Sequence, residues 1–434
     1  MLSSFTIKNF KSYREATLKL APLTVLIGAN ASGKSNAIEG LRLLSWIAEG
    51  NRLGSFRYAS QDKNRAIRGK VSELGFQGRH AFSLSCDTTE LDWNHYSITL
   101  AVRDDNELHI ADERLTGSGY ASLAPLFKVT TPSSGTLGDM LVAYNNFARG
   151  GRKPQIMCND QMAVLIQLMT SARFESGHKK AQQEIPAVTR GFHRLLSDIT
   201  LLDPRPSLMR NYSPMSEQKL DESGENLSGV LYNLCQDKDA KNELLKFIEA
   251  LPEQDIKEIS FVETPRSEVM VTLTETFGGG SRDYDAALLS DGTLRVLGIA
   301  AAVLSAPGRL VVIEEIDNGV HPSRAARLLN QVSRIARERN LRVLISSHNP
   351  ALLDALPDDA VPHVVFCYRD PADGSSRLTR LSDVPDYPEL IAQGSVGHLM
   401  TRGIIERFVK DHPGPEQRKQ RAHAWLNALR KQVG

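Results

Sequence analysis

The stretch LTVLIGANASGKS, Leu23 to Ser35, restricts the fold more than any other part of the chain. An apolar run, Leu23–Ile27, leads into a loop bounded by Gly28 and Gly33. Beyond the loop, Ile38, Leu41, Leu44 and Ile47 or Ala48 share one helical face. A strand, a glycine loop and an amphipathic helix in that order need a sheet with a helical layer on it, which predicts an α/β fold. The loop follows the pattern G-x-x-x-x-G-K-[ST]. Its glycines let backbone N–H groups curl round an oxyanion, and a helix starting near Gly33 points its positive end at the same place. Lys34 is spaced to reach β- and γ-phosphates, and the Ser35 hydroxyl to hold Mg²⁺. Gly28, Asn30, Ser32, Gly33, Lys34, Ser35 and Asn36 are therefore candidate contacts to a nucleoside triphosphate, with Ser35 also a candidate metal ligand. The bland alternative, a glycine-rich turn, leaves the flanking strand and helix as coincidence.

A second stretch, LVVIEEIDNGVHP (Leu310–Pro322), runs four apolar residues straight into Glu314 and Glu315. Leu310–Ile313 reads as a strand buried on both faces. Two anions at its end are costly unless a cation meets them. The phosphate loop upstream suggests that the cation is Mg²⁺ carried in with ATP. Glu314 would hold the metal, directly or through water, and Glu315 would orient and deprotonate the attacking water. As a plain reading, the pair opens a turn before Asp317-Asn318-Gly319. In LLSDGT (Leu288–Thr293), Ser290 and Gly292 sit at the start of an apolar helix, either as a second anion site or with Ser290 as an ordinary N-cap. In LISSHNP, His348 follows another buried strand, where it is either structural or a donor to the γ-phosphate.

Composition narrows the class of protein. The 434 residues carry a net charge of +1, so any attraction to nucleic acid or membrane must come from a local patch. The longest apolar run, around Val296–Leu304, is too short for a membrane span, and no basic-then-apolar start marks a signal peptide. Cys86, Cys158, Cys235 and Cys367 are far apart, which argues against a disulfide framework or zinc site and for reduced thiols in a cytoplasm. HAFSLSC, HYSITLAV and ELHIADERL predict strands of an antiparallel lobe. Residues 137–251 look mostly helical, and from residue 287 strand and helix alternate as in a parallel sheet. That sheet is split, with its first piece near residue 25 and the rest after 285. The expected organisation is an N-terminal head part at 1–50, a loop and antiparallel β-lobe at 51–136, a mainly helical insertion at 137–254, a C-terminal head part at 255–400 and a basic helical tail at 401–434. The tail holds eight basic and three acidic residues, 8 − 3 = +5. It reads as a packed helix with a solvated side or as a DNA contact.

The order of these pieces resembles the ABC-type ATPase heads of the SMC/RecF/OLD group. IEEIDNGVHP and SSHNP are similar to the Walker B and histidine motifs of stand-alone ATPases in that group, LSDGT to their signature, and FTIKNFKSY to their first strand. LDESGENLSGVL (Leu220–Leu231) is similar to a further stretch of their inserted region. The resemblance implies a P-loop head with a split parallel sheet, an antiparallel β-lobe and a helical insertion. It also implies a homodimer, or a higher homo-oligomer, in which Lys34 of one copy and Ser290 of the other enclose ATP, with Asp317 reaching across the interface or serving as a turn residue. Glu314 stands where such heads usually have Asp, which implies retained but slow turnover. A glutamine loop is not evident; Gln61 and Gln77 are the candidates.

The resemblance further implies a nucleotide-gated switch, since stand-alone heads of this group often serve anti-phage defence or DNA repair. YRDPADG has the wrong acid spacing for a nuclease of the OLD type, so the effector or nuclease is expected in a separate protein, with DNA left open as a partner and no membrane. The alternative is a binding module that holds a partner with ATP and turns over negligibly. A transporter subunit or small-molecule kinase fits less, because the first has a much shorter insert and the second leaves Ser290 and His348 without a role.

Overall fold

The structure is a computed structural model that describes residues 1–56, 67–89, 92–118, 124–133, 138–248, 256–277, 280–306, 310–318, 322–385 and 387–410. Among these, the sheet that matters most has six strands in the order Thr200–Leu202, Leu310–Ile313, Arg342–Ser347, Leu23–Ile27, Val364–Arg369 and Ser376–Arg380. All neighbours pair in parallel except the last two. Its central strands are largely apolar because both faces are covered. Val25, Val311, Ile313, Val343 and Ile345 feed one core, while Leu26, Leu310, Val312 and Leu344 feed the other. The split sheet is as expected, with the strand Leu23–Ile27 inserted among strands that follow residue 300.

One core holds the phosphate-loop helix Lys34–Ala48 and an antiparallel lobe. That lobe's eight strands run Tyr13–Lys19, Leu2–Phe10, Ala81–Thr88, His95–Val102, Leu108–Thr116, Phe127–Thr131, Asp139–Tyr144 and Gln155–Asn159. The other core holds the helices Asp291–Leu304 and Pro322–Glu338. A third, small antiparallel sheet sets Ser213–Pro214, Ile256–Glu263 and Gly280–Asp285 against Glu268–Phe277.

The reading of 137–254 as mainly helical is corrected at its start and at one short strand within it. Residues 139–159 are two strands that extend the antiparallel lobe past residue 136. Met140, Val142 and Tyr144 point inward while their neighbours face out, a two-residue period. Thr200–Leu202 is an edge strand of the parallel sheet, and the helices Leu227–Leu234 and Lys238–Ile248 share a core with the helix Asp291–Leu304. This part of the insertion is built into the head. Of the basic tail, residues 401–410 are described and include the helix Ile404–Lys410, while 411–434 lie outside the described residues. No helix among the described residues is long and apolar enough to cross a membrane.

Candidate nucleotide site

The phosphate loop leaves the carboxyl end of Leu23–Ile27 with Gly28 at φ 150°, Ala31 at 61° and Gly33 at 119°. Both glycines are required. A Cβ on Gly28 would lie 2.1 Å from the Cys367 carbonyl oxygen, and one on Gly33 would lie 2.3 Å from Ser376 Oγ. The loop's carbonyls are held by side chains of the loop and of its neighbours. Lys34 Nζ donates to Gly28 O (2.7 Å) and Ala29 O (3.1 Å), and Arg369 Nε donates to Ala31 O (3.1 Å). Ser376 Oγ and Cys367 Sγ donate to Ser32 O (2.5 and 3.4 Å), and the Tyr13 hydroxyl to Gly33 O (3.0 Å). With the acceptors tied outward, the first-turn N–H groups of the helix remain as donors to a ligand. Ser32 Oγ, buried in the loop, has no hydrogen-bond partner among the described residues. An orphaned hydroxyl within a cradle that only glycine permits fits a bound phosphate.

The N-terminal NFKSY is a clamp on this loop. Besides Tyr13, Ser12 Oγ accepts from Asn36 Nδ2 (2.8 Å) and is hydrogen-bonded to Ser376 Oγ (2.8 Å). Asn36 is thereby a strut. Asn30 is exposed at the loop tip, while Lys34 and Ser35 are half-buried at the helix start. Beside the helix a cleft of about 600 Å³ is lined by Lys11, Ser12, Asn36, Gln77, Arg369 and Asp373 among others. Gln77 therefore faces the phosphate-loop region, and Gln61 lies outside the described residues.

Strand register brings the remaining candidates to the same edge. Ile313 aligns with Ile345, Ile345 with Val25, and Ser347 with Ile27. Gly28, Glu314–Glu315 and His348 thus leave neighbouring strands at one level, the carboxyl edge where open α/β sheets bind ligands. Glu315 takes a left-handed backbone, φ 48°, and its N–H donates to Ser346 Oγ (3.1 Å). Its carboxylate accepts from Asn318 Nδ2. Burial lowers the Lys34 ammonium below its ordinary value, while Cys367, Glu315 and Asp317 act in the opposite direction. Glu315 and Asp317 therefore share the field of the phosphate-loop lysine. Asp317 Oδ1 is buried with no partner among the described residues, and His348 is exposed.

Glu314 faces elsewhere. Its Oε1 accepts from Arg42 Nη2 at 3.0 Å, and the same nitrogen contacts Glu222 Oε1. Burial raises the Glu314 carboxyl above its ordinary value, opposed by Arg42 and reinforced by Asp203 and Glu222. Asp203 follows the edge strand, and its N–H donates to Glu222 O (2.8 Å). Arg42, Asp203 and Glu222 were missed in the sequence. The available signal was a basic residue seven places past Ser35 on the phosphate-loop helix.

Ser290 caps the helix Asp291–Leu304, accepting from Thr293 N at 3.1 Å. It is exposed, as is Leu288 with 69 % of its surface accessible. Arg210 braces this turn through Leu289 O (2.6 Å), Ala286 O (3.3 Å) and the Asp291 carboxylate. No hydrogen bond or ion pair among the described residues joins Ser290 or Gly292 to the phosphate loop of the same chain.

Fold and site set a glycine-rich phosphate loop at the carboxyl edge of a split parallel sheet, and parts of the chain match models of AAA ATPase domains. More particularly, residues 1–113 match the family described as "AAA ATPase domain", and residues 162–354 the family described as "AAA domain, putative AbiEii toxin, Type IV TA system". No curated protein matches the chain. Similar solved structures include an Smc head bound to the C-winged helix domain of ScpA, at 12 % identity and TM-score 0.47, covering 87 % of this chain and 96 % of that one. An Smc head with extended coiled coil from Pyrococcus furiosus, bound to the C-terminal domain of ScpA, is similar at 13 % and 0.43, covering 94 % and 99 %. The SMC head domain from Thermotoga maritima is similar at 12 % and 0.39, covering 87 % and 98 %.

Proposed function

We propose that the chain hydrolyses ATP and works as a nucleotide-gated dimeric switch, in anti-phage defence or DNA repair, with its effector in a separate protein. The observation that carries this reading is the single carboxyl edge shared by the phosphate loop, Glu315, Asp317 and His348. The loop N–H groups and Lys34 bind the phosphates. Ser35, with Glu314 once its carboxylate is turned toward the loop, would hold Mg²⁺, which neutralises phosphate charge when bound. Glu315, outside the metal-holding set and held by Asn318, orients the attacking water and takes its proton. His348 lies next to Gly28 across the sheet and faces the end of the triphosphate. Ser290, Gly292 and the exposed Leu288 form the surface that a second copy covers, so that the partner's nucleotide completes the interface. The switch is the pairing: it lasts while the γ-phosphate is present.

The pairing of Glu314 with Arg42 favours a second reading, a module that binds ATP to hold a partner and hardly turns over. Phosphate release from the wild type, Lys34→Ala and Glu315→Gln separates the two. The switch reading expects turnover in the wild type and a loss of about a hundredfold or more in each variant, the scale of general-base and charge-stabilising groups. Wild-type release no faster than Glu315→Gln, with ATP still bound, would establish the module.

A further inference from the structure

The sequence raises the question of which cation meets the acids at the end of Leu310–Ile313, and in the structure an arginine does so. Arg42 projects from the phosphate-loop helix into a nearly enclosed space, its side chain 12 % exposed, with Glu314 at 19 % and Glu222 at 18 %. One nitrogen, Nη2, serves both carboxylates, while Nε is buried with no partner among the described residues. A guanidinium seated for stability alone would present its fork to a carboxylate, two donors to two oxygens. Here a single nitrogen is shared between two acceptors. One acceptor can leave without stranding a buried charge, because the other still compensates the arginine.

We propose that Arg42 is the metal-free counter-ion of Glu314 and that Glu222 is its alternative partner, holding the guanidinium when Glu314 turns to a divalent metal. The inference rests on the reading of Glu314 as a metal carboxylate. It assigns Arg42 and Glu222 as positioning residues. The backbone hydrogen-bonded path between Glu314 and Glu222 supports the assignment. Glu314 N–H donates to Leu202 O (2.9 Å), and Asp203 N–H to Glu222 O (2.8 Å), so the edge strand Thr200–Leu202 fixes Glu222 beside Glu314. The segment 220–231 thereby gains a role: it delivers the carboxylate that receives Arg42. Loading the metal would cost the breaking of an ion pair, a built-in brake on a head that has Glu at this position.

The test uses the full-length chain with saturating ADP. Mn²⁺ binding is read from the loss of the free-ion electron paramagnetic resonance signal, with Lys34→Ala as the blank, and melting is measured without metal. Arg42→Gln is expected to tighten Mn²⁺ about tenfold, the scale of one charge-assisted hydrogen bond, and to lower the metal-free melting temperature. Glu222→Gln, which leaves Arg42 to Glu314 alone, is expected to weaken Mn²⁺ by a similar factor. Arg42→Lys should restore the metal-free melting temperature. Both shifts in affinity must vanish in a Glu314→Gln background. Shifts that persist there would show a general field effect and overturn the proposal, as would no shift at all. If Arg42→Gln does not fold, Glu222→Gln with and without Glu314→Gln decides the question. Mn²⁺ affinity unchanged by Glu314→Gln alone would instead refute the metal role of Glu314.

Discussion

The Glu113 carboxylate is fully buried, yet it accepts from Val164 N (2.7 Å), Leu165 N (2.8 Å) and the Tyr96 hydroxyl (3.0 Å). It ties the antiparallel lobe to the chain that leads into the helices behind it. Burial pushes its pKa up to about 7 from 4.5, against the pull of its donors. The folded state therefore holds this proton more tightly than the unfolded chain does. The stability it contributes is complete below about pH 4.5 and is lost as the pH rises to about 7, a change of about 3 kcal/mol. Urea midpoints at pH 5 and pH 8 should show this loss in the wild type and a flatter profile in Glu113→Gln. Equal slopes would remove Glu113 as the source. Arg42 is the counterpart among residues hidden from sequence reading. Helical periodicity identifies the apolar stripe of Lys34–Ala48, and a basic residue off that stripe reads as solvated. Its partners, Glu222 and Glu314, lie 180 and 272 positions away, so only the fold brings them to it.

At the level of elements, the strand–loop–helix at Leu23–Ala48 and the strand Leu310–Ile313 are plain in the sequence, because a phosphate loop and a two-sided apolar strand each have a strong local pattern. Thr200–Leu202 is not. Three residues carry no period, and what makes them a strand is the exposed edge of Leu310–Ile313 beside them. The strands at 139–159 did carry alternation, masked by polar and glycine-rich neighbours. The Ser290 turn is legible as a helix start, but its brace is not: Arg210 comes from another loop, 80 residues upstream of Ser290 (290 − 210). Arg210→Ala removes donors to two carbonyls and a carboxylate, worth about 2 kcal/mol in all. That variant should bind ADP like the wild type while its ATP-dependent pairing weakens roughly thirtyfold, since about 1.4 kcal/mol is a factor of ten. Fluorescent-nucleotide titration and sedimentation give the two readings. Weakened nucleotide binding with unchanged pairing would contradict it.

For the whole molecule, the two cores lie on opposite faces of one parallel sheet. The phosphate-loop helix packs in one and the helix after Ser290 in the other. On the proposed reading, the phosphate loop and the Ser290 turn are two halves of a nucleotide site that a second copy joins. The most direct measurement is molar mass by light scattering for Glu315→Gln with ADP and with ATP, alongside the same chain carrying Ser290→Arg. The expected result is monomer with ADP, dimer with ATP, and monomer with ATP once Ser290→Arg is added, with nucleotide still bound. A mass that ignores the nucleotide, or a dimer that tolerates arginine at the turn, would contradict it.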